Sequence, residues 1–424
     1  MRSTKFHDRT DMTRSTQAFE IDGAGLPPLG MPADRFLREF WQKRPLLIRQ
    51  AFPEFTSPLG ADDLAGLACE DTALARLVRQ VGDDYTVEHG PFPESRFADL
   101  PERDWTLLVQ DVDSWDADVR ALLAPFDFLP RWRIDDVMVS YAAPGGSVGA
   151  HVDRYDVFLL QASGRRRWAI DDRPRPDDAV RADSELRLLQ RFRPTRSWSL
   201  APGDMLYLPP GVPHHGIAEA AVGADGERLG DCLTFSFGMR APSHAELLLD
   251  AAEHLAARWP DAQRYSDADL RPAADPFEID AAALNRLRAQ VPMLAMLDAA
   301  GLRDWFGCFI TTYRAAGEPL APSRPPNLAR IEAVLTGGGR LRRNPFARLA
   351  WARAGRSARL YGHGRSYVLP VSAARRLAAA ESLDATDLTG FGEPARAALL
   401  DLVRRGLYRL TPAGPRKAGS RRST

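Results

Sequence analysis

The 424-residue chain is 45% hydrophobic and 26% charged, with Lys+Arg and Asp+Glu equal at 56 each. Length and mixture point to a folded protein of two or three domains and exclude a disordered or low-complexity chain. Zero net charge argues against a body that coats itself with nucleic acid through bulk charge, and leaves local basic patches open.

Residues 1–19 read as a solvated tail; the opening MRSTKFHDRTDMTRSTQAFE has no apolar run of the secretory kind. Residues 20–242 hold short apolar runs bounded by Gly and Pro: RPLLIRQ, DWTLLVQDVD, DDVMVSYAAPGG, YDVFLLQASGRRRWAI, SWSLAPGDMLYLPPG and CLTFSFGMR. Such runs predict an antiparallel all-β core. Helical patterns between them cover DRFLREFWQKR and ADDLAGLACEDTALARLVRQV. Residues 243–315 turn helical, with Leu247, Leu248, Ala252 and Leu255 at helical spacing and Pro292 as a break. This region either caps the β-domain or pairs two subunits. After the linker EPLAPSRPPN, residues 316–412 predict a winged-helix-like α+β unit. It comprises a helix over FARLAWARA, two strands around the Gly362–Gly364 turn, a helix over ARRLAAAESL, then a helix and strand over EPARAALLDLVRRGLYRL. Residues 413–424 form a basic tail.

No stretch approaches the roughly 18 apolar residues of a membrane span. Three scattered cysteines, Cys69, Cys232 and Cys308, with no CxxC, argue against a disulfide framework or a cysteine zinc site. A cytoplasmic protein is expected.

The chemistry sits in GGSVGAHVDRYDVF. His151 and Asp153 are two apart, so on a strand both face the same way. LAPGDMLYLPPGVPHHG, some sixty residues on, ends a second strand with His214 and His215. These two point oppositely, so one of them joins the first pair; spacing alone does not choose. Two imidazoles and one carboxylate on an octahedral face is the ligand set of non-haem Fe(II) oxygenases, leaving three positions for a cosubstrate and O2. Zinc more often takes a closed tetrahedron or three histidines. In GRRRW, Arg166 faces opposite to Arg165 and Arg167, and a guanidinium from this triplet can grip a carboxylate bidentately. Thr234 offers either a hydroxyl to the same anion or packing.

Together FWQKRPLLIR, WTLLVQDVD, the run from Phe128 to Trp168, LAPGDMLYLPPGVPHHG and FGMRAP resemble the ribosomal oxygenase family of JmjC hydroxylases. The bacterial branch hydroxylates an arginine of a large-subunit ribosomal protein. The resemblance implies a jelly-roll (double-stranded β-helix, cupin/JmjC) core, a helical dimerisation region and a C-terminal winged helix. It implies Fe(II), 2-oxoglutarate and O2, with His151, Asp153 and His214 as metal ligands and Arg166 on the cosubstrate. It also implies that Asp136 and Tyr155 line the target pocket, where a carboxylate suits a guanidinium substrate. A ribosomal protein substrate and a homodimer follow from it. The eukaryotic branch modifies histidine, and the same oxidation can remove an N-methyl group, so a histidine hydroxylase or a demethylase are alternatives. A DNA-binding regulator with a metal-sensing cupin is a rival of another class. The helix ARAALLDLVRRGLYRL is thin in exposed basic residues, however, so direct nucleic-acid binding is not expected.

Overall fold

The structure is a computed structural model describing residues 19–82, 84–173, 179–181, 185–220, 231–257, 266, 299–312, 317 and 319–413. The chain divides into two compact units. One holds the residues up to Phe128 together with Asp136–Met239; the other holds Leu129–Asp135 and Arg240–Thr424. Both expected tails, apart from Phe19 and Ala413, and the middle of the expected dimerisation region, Pro292 included, lie outside the described residues.

The first unit carries, in order, β1 (Glu20–Asp22), α1 (Ala33–Glu39), β2 (Leu46–Arg49), α2 (Ala61–Ala68), β3 (Ala75–Val81), β4 (Asp84–His89), α3 (Ser95–Ala98), β5 (Trp105–Val109), α4 (Val112–Trp115) and α5 (Ala117–Ala121). Then follow β6 (Ile134–Ala142), β7 (His151–Val152), β8 (Val157–Ser163), β9 (Arg165–Ile170), β10 (Arg196–Leu200), β11 (Met205–Leu208), β12 (Pro213–Glu219) and β13 (Cys232–Met239). Two sheets form, in the orders β1-β2-β11-β8-β13-β6-β5-β3-β4 and β10-β9-β12-β7. This is the expected jelly-roll: strands distant in sequence pair, as β8 does with β11 and β13 and β9 with β12, while the successive β8 and β9 fall in different sheets. β1 lies parallel to β2, a departure from a purely antiparallel core.

Alternation along the strands sorts the side chains into two layers. Leu47, Val157, Leu159, Trp168, Ile170, Leu200, Leu206 and Leu208 cluster on one side. Their neighbours Phe158, Tyr207 and Phe237 turn the other way and meet Phe36 of α1 and Phe126. Asp204, in the Pro-Gly-Asp turn, fastens the edge: its carboxylate accepts from Arg49 Nη1 at 2.7 Å and from the backbone N–H groups of Gln50 and Ala201 at 3.0 Å.

The helical pattern expected across residues 61–81 is helical only as far as Ala68. Residues 75–81 form β3 instead, between β4 and β5, where pairing on both edges outweighs the helix preference of Ala, Leu and Arg.

The second unit opens with α6 (His244–Ala256), started by a Ser243–Glu246 capping box, and α7 (Ala299–Thr312). Trp305, Phe309 and Ile310 of α7 pack with Leu247 and Ala251 of α6, and Trp305 Nε1 donates to Asp250 at 2.7 Å. Next come α8 (Leu328–Thr336), β14 (Arg340–Arg343), β15 (Leu349–Ala354), β16 (Ser357–Gly362), β17 (Arg365–Leu369), α9 (Val371–Ala379), β18 (Ser382–Leu383), α10 (Ala385–Gly390), α11 (Glu393–Arg404) and β19 (Tyr408–Thr411). They make two three-stranded sheets, β18-β14-β19 and β15-β16-β17, sharing a core that includes Leu341, Leu360, Leu377, Leu399 and Leu402. The hairpin around Gly362–Gly364 is as expected. FARLAWARA is not a helix: its residues 349–354 are β15, in register with β16 from Leu349↔Gly362 to Ala354↔Ser357.

Candidate metal centre

β12 runs antiparallel to β7 and places His214 directly opposite His151. Residues opposite one another share a face, so the rings approach to 4.2 Å between centroids. Asp153 follows β7, its Oδ2 3.6 Å from His214 Nε2 and 3.9 Å from His151 Nε2. One ligand atom from each of His151, Asp153 and His214 lies within 4.8 Å of the others, a span that one cation can bridge. His151 Nδ1 is 3.0 Å from the Gly149 carbonyl and His214 Nδ1 is 2.9 Å from the Val212 carbonyl. A carbonyl only accepts, so each Nδ1 carries the proton and each Nε2 keeps its lone pair for the metal. Burial pushes His214 down to about 4; neighbouring His151 adds to the drop, while Asp153 opposes it. The ring is therefore neutral, as a ligand must be, well below pH 7.

His215 turns away from this cluster. Its Nε2 lies 2.9 Å from Ser147 Oγ, and Ser147 Oγ accepts the Gly149 N–H at 3.0 Å. The histidine pair thus divides its work: His214 faces Asp153, while His215 ties down the Gly-rich loop that leads into His151. The loop is stitched a second time by Gly145 N–H to Ala218 O and Ala218 N–H to Gly146 O.

β9 alternates as the triplet predicts: Arg165 and Arg167 are exposed and Arg166 is only 2% exposed. Arg166 faces Ala218 on β12 and Leu200 on β10. Its Nη2 donates to Gly216 O at 3.3 Å and its Nη1 to Ser140 Oγ at 3.5 Å, both long; its Nε has no partner. Among the described residues no carboxylate pairs with it. Burial pulls its pKa downward, opposed by the nearby Cys232. A buried guanidinium without an anion is costly unless a ligand supplies one. Next along the strand, Trp168 Nε1 is also buried and without a partner. The chain's residues therefore fit a carboxylate-bearing ligand beside a two-imidazole, one-carboxylate metal face.

Sequence reasoning missed Gly216. A Cβ there would stand 2.7 Å from both Arg166 Nε and the Trp168 ring, so only glycine admits these two side chains. The signal was available in the HHG triplet, two residues after His214 on the same strand face. Thr234 is buried on β13; its hydroxyl donates to Gln161 Oε1 at 3.1 Å, and its carbonyl accepts from Ser140 Oγ at 3.5 Å. Asp136 shares a face of β6 with Ser140, four residues on, and its Oδ2 accepts the Asp111 N–H at 3.1 Å. Its Oδ1 would lie 3.1 Å from a Cβ at Gly238, so glycine there keeps the carboxylate uncrowded. Tyr155 is half-buried against the Leu47–Leu208 cluster.

A jelly-roll presenting a His-Asp-His face beside a buried, anion-seeking arginine is the framework of a 2-oxoglutarate oxygenase. Residues 121–247 match the JmjC domain and residues 286–409 the ROXA-like winged helix. The ribosomal protein uL16 3-hydroxylase of Escherichia coli is 38% identical over 299 residues, covering 69% of this chain and 74% of that protein. A probable ribosomal oxygenase of Haemophilus influenzae is 39% identical over 220 residues, 50% of each. The structure of YcfD, a ribosomal oxygenase from Escherichia coli in complex with cobalt and 2-oxoglutarate, aligns with a TM-score of 0.74 at 34% identity, covering 90% of this chain and 99% of that one. The chain belongs to the ribosomal oxygenase family of JmjC hydroxylases. It is an Fe(II)- and 2-oxoglutarate-dependent dioxygenase. No described helix is long and apolar enough to cross a membrane.

Proposed function

We propose that this enzyme hydroxylates C3, the β-carbon, of an arginine in the large-subunit ribosomal protein uL16. The observation that carries the reading is Arg166, buried next to the strand that bears His214 with no carboxylate partner among the described residues. The 38% identity to a uL16 3-hydroxylase supplies the substrate. His151, Asp153 and His214 hold the metal through two Nε2 atoms and a carboxylate. Bound iron with 2-oxoglutarate supplies the oxidation of an unactivated C–H bond by O2. Arg166 binds the far carboxylate of 2-oxoglutarate bidentately, using the Nε–H that has no protein partner. Thr234 keeps an acceptor lone pair for the cosubstrate pocket while donating to Gln161. Leu159, Leu206 and Trp168 belong to a buried apolar cluster and would help keep water from the site.

Asp136 and Tyr155 receive the target side chain. A guanidinium leaving water needs an anion, which Asp136 provides; imidazole makes a weaker claim on it, which favours arginine over the histidine alternative. The proposed organisation is a catalytic domain over 20–242, a helical region over 243–315 that forms a homodimer, and a winged-helix-like domain over 316–412, working in the cytoplasm. Exposed Leu248 and Leu249 on α6 and Leu302 on α7 support the dimer.

The test is mass spectrometry of recombinant uL16 incubated with the enzyme, Fe(II) and 2-oxoglutarate. The expected product gains one oxygen on a single arginine. Unmodified arginines with one oxygen on a histidine, or formaldehyde release from methylated uL16, would overturn the arginine assignment.

A further inference from the structure

Charge is unevenly spread along the chain. Residues 319–413 contain sixteen arginines against six acidic residues, a net +10; the rest carries forty basic against fifty acidic residues, a net −10. Some of these arginines are neutralised: Arg340 meets Asp384, Arg343 meets Glu381, Arg365 meets Asp401, Arg376 meets Asp387 and Arg396 meets Glu332. Arg342, Arg353, Arg356, Arg375 and Arg409 are exposed, and no described carboxylate pairs with them.

These five are connected through the fold. Arg342 on β14 stands directly opposite Arg409 on β19 and, across its other edge, opposite Ser382 on β18. Facing like charges on paired strands are destabilising, so nothing in folding alone favours the Arg342–Arg409 pair. The Ser382 carbonyl accepts from Arg376 of α9 at 3.3 Å. Next to it on α9, Arg375 lies over the Trp351 ring at 5.4 Å. Arg353 shares the Trp351 face of β15, and Arg356 sits on the far side of the tight turn into β16. These five positive residues thus lie on strands, at a wing tip and on α9, outside α11, the helix weighed in the sequence.

We infer that these exposed arginines bind the phosphodiester backbone of folded RNA, making the winged-helix unit an RNA-docking module. Exposed guanidinium groups without a carboxylate partner are suited to phosphates, and the Arg375–Trp351 contact restrains one of them. The choice of RNA over DNA rests on the ribosomal-protein reading above, because such a substrate is met beside ribosomal RNA. This proposal differs from the expectation of no nucleic-acid binding, which was drawn from total charge and one helix.

The experiment is fluorescence anisotropy of a labelled RNA hairpin with the full chain, without iron, 2-oxoglutarate or uL16. Hydroxylation of isolated uL16 is thereby a separate result that can succeed or fail alone. Binding tighter than about 10 μM at about 150 mM salt is expected, with log K falling against log salt at a slope of about −3 to −4.5. The double variants Arg342→Gln/Arg409→Gln and Arg353→Gln/Arg356→Gln should each bind less tightly. Combined, they should lose at least tenfold and flatten the slope by about 3, with melting temperature held. The exposed positions make both pairs compatible with folding, and the wild-type salt slope stands independently of any variant. No binding by the wild type, variants that bind with unchanged affinity and slope, or a matched DNA duplex bound more tightly than the RNA would each overturn the proposal.

Discussion

Arg166 is held out of water with one N–H unsatisfied and no counter-charge among the described residues, so it costs stability until a ligand arrives. Replacing it with methionine separates the two roles. Arg166→Met should raise the stability of the ligand-free protein by about 1–3 kcal/mol, read by thermal melting. The same change should weaken 2-oxoglutarate binding to the Mn(II)-loaded protein about 100-fold, read by calorimetry. A destabilised variant with intact affinity would mean that Arg166 is structural. The histidines make a second residue-scale prediction. His214 and His215 are each held at about 4 against an ordinary 6.5, His214 chiefly by burial and His215 by burial and then by Arg166. Their folded values are depressed, so between about pH 6.5 and 4 the unfolded chain binds protons that the folded one refuses. Metal-free protein should therefore keep this contribution above about pH 6.5 and lose it as pH falls toward 4, by up to about 1.4 kcal/mol per pH unit for each ring. Urea melts across that window measure it; stability rising as pH falls would contradict it.

At the scale of elements, the metal face depends on how two strand ends are held. The His215–Ser147 link and the Gly149 N–H to Ser147 bond fasten the loop before β7. Ser147→Ala removes both contacts and leaves every ligand atom in place. Mn(II) affinity should fall about 10-fold with little change in global stability, as when the outer support of a metal ligand is lost. Unchanged affinity, by equilibrium dialysis, would show that the loop needs no such support. The same strands explain what was readable from sequence. His151 and Asp153 were legible because period-2 alternation needs only one strand; alternation set Arg166 apart from Arg165 and Arg167, and the family resemblance picked it out. The choice of His214 over His215 came only from the family resemblance, since spacing does not say which face of β12 lies on the side of the sheet that carries His151. Gly216 and Ser147 stayed hidden for the same reason: their roles lie in what packs against them from another strand. Residues 75–81 and 349–354 are rich in Ala, Leu and Arg and look helical alone, yet strands on their edges claim them.

At the scale of the whole molecule, the two units have opposite chemistries. The jelly-roll brings His151, Asp153, His214 and the buried Arg166 together with a packed apolar cluster. Residues 319–413 carry an excess of positive charge on a surface with its own core. A metal-binding site and a charged docking surface are separable functions, so substitutions of the exposed arginines should leave 2-oxoglutarate binding untouched, while Arg166→Met should leave RNA binding untouched. Everything in the catalytic account turns on one cation and one carboxylate meeting this set of side chains. The most direct measurement is a crystal structure with Mn(II) and N-oxalylglycine. The account predicts one metal ion on His151 Nε2, the Asp153 carboxylate and His214 Nε2, with the inhibitor's far carboxylate on the Arg166 guanidinium. Metal bound elsewhere, or a far carboxylate resting away from Arg166, would contradict it.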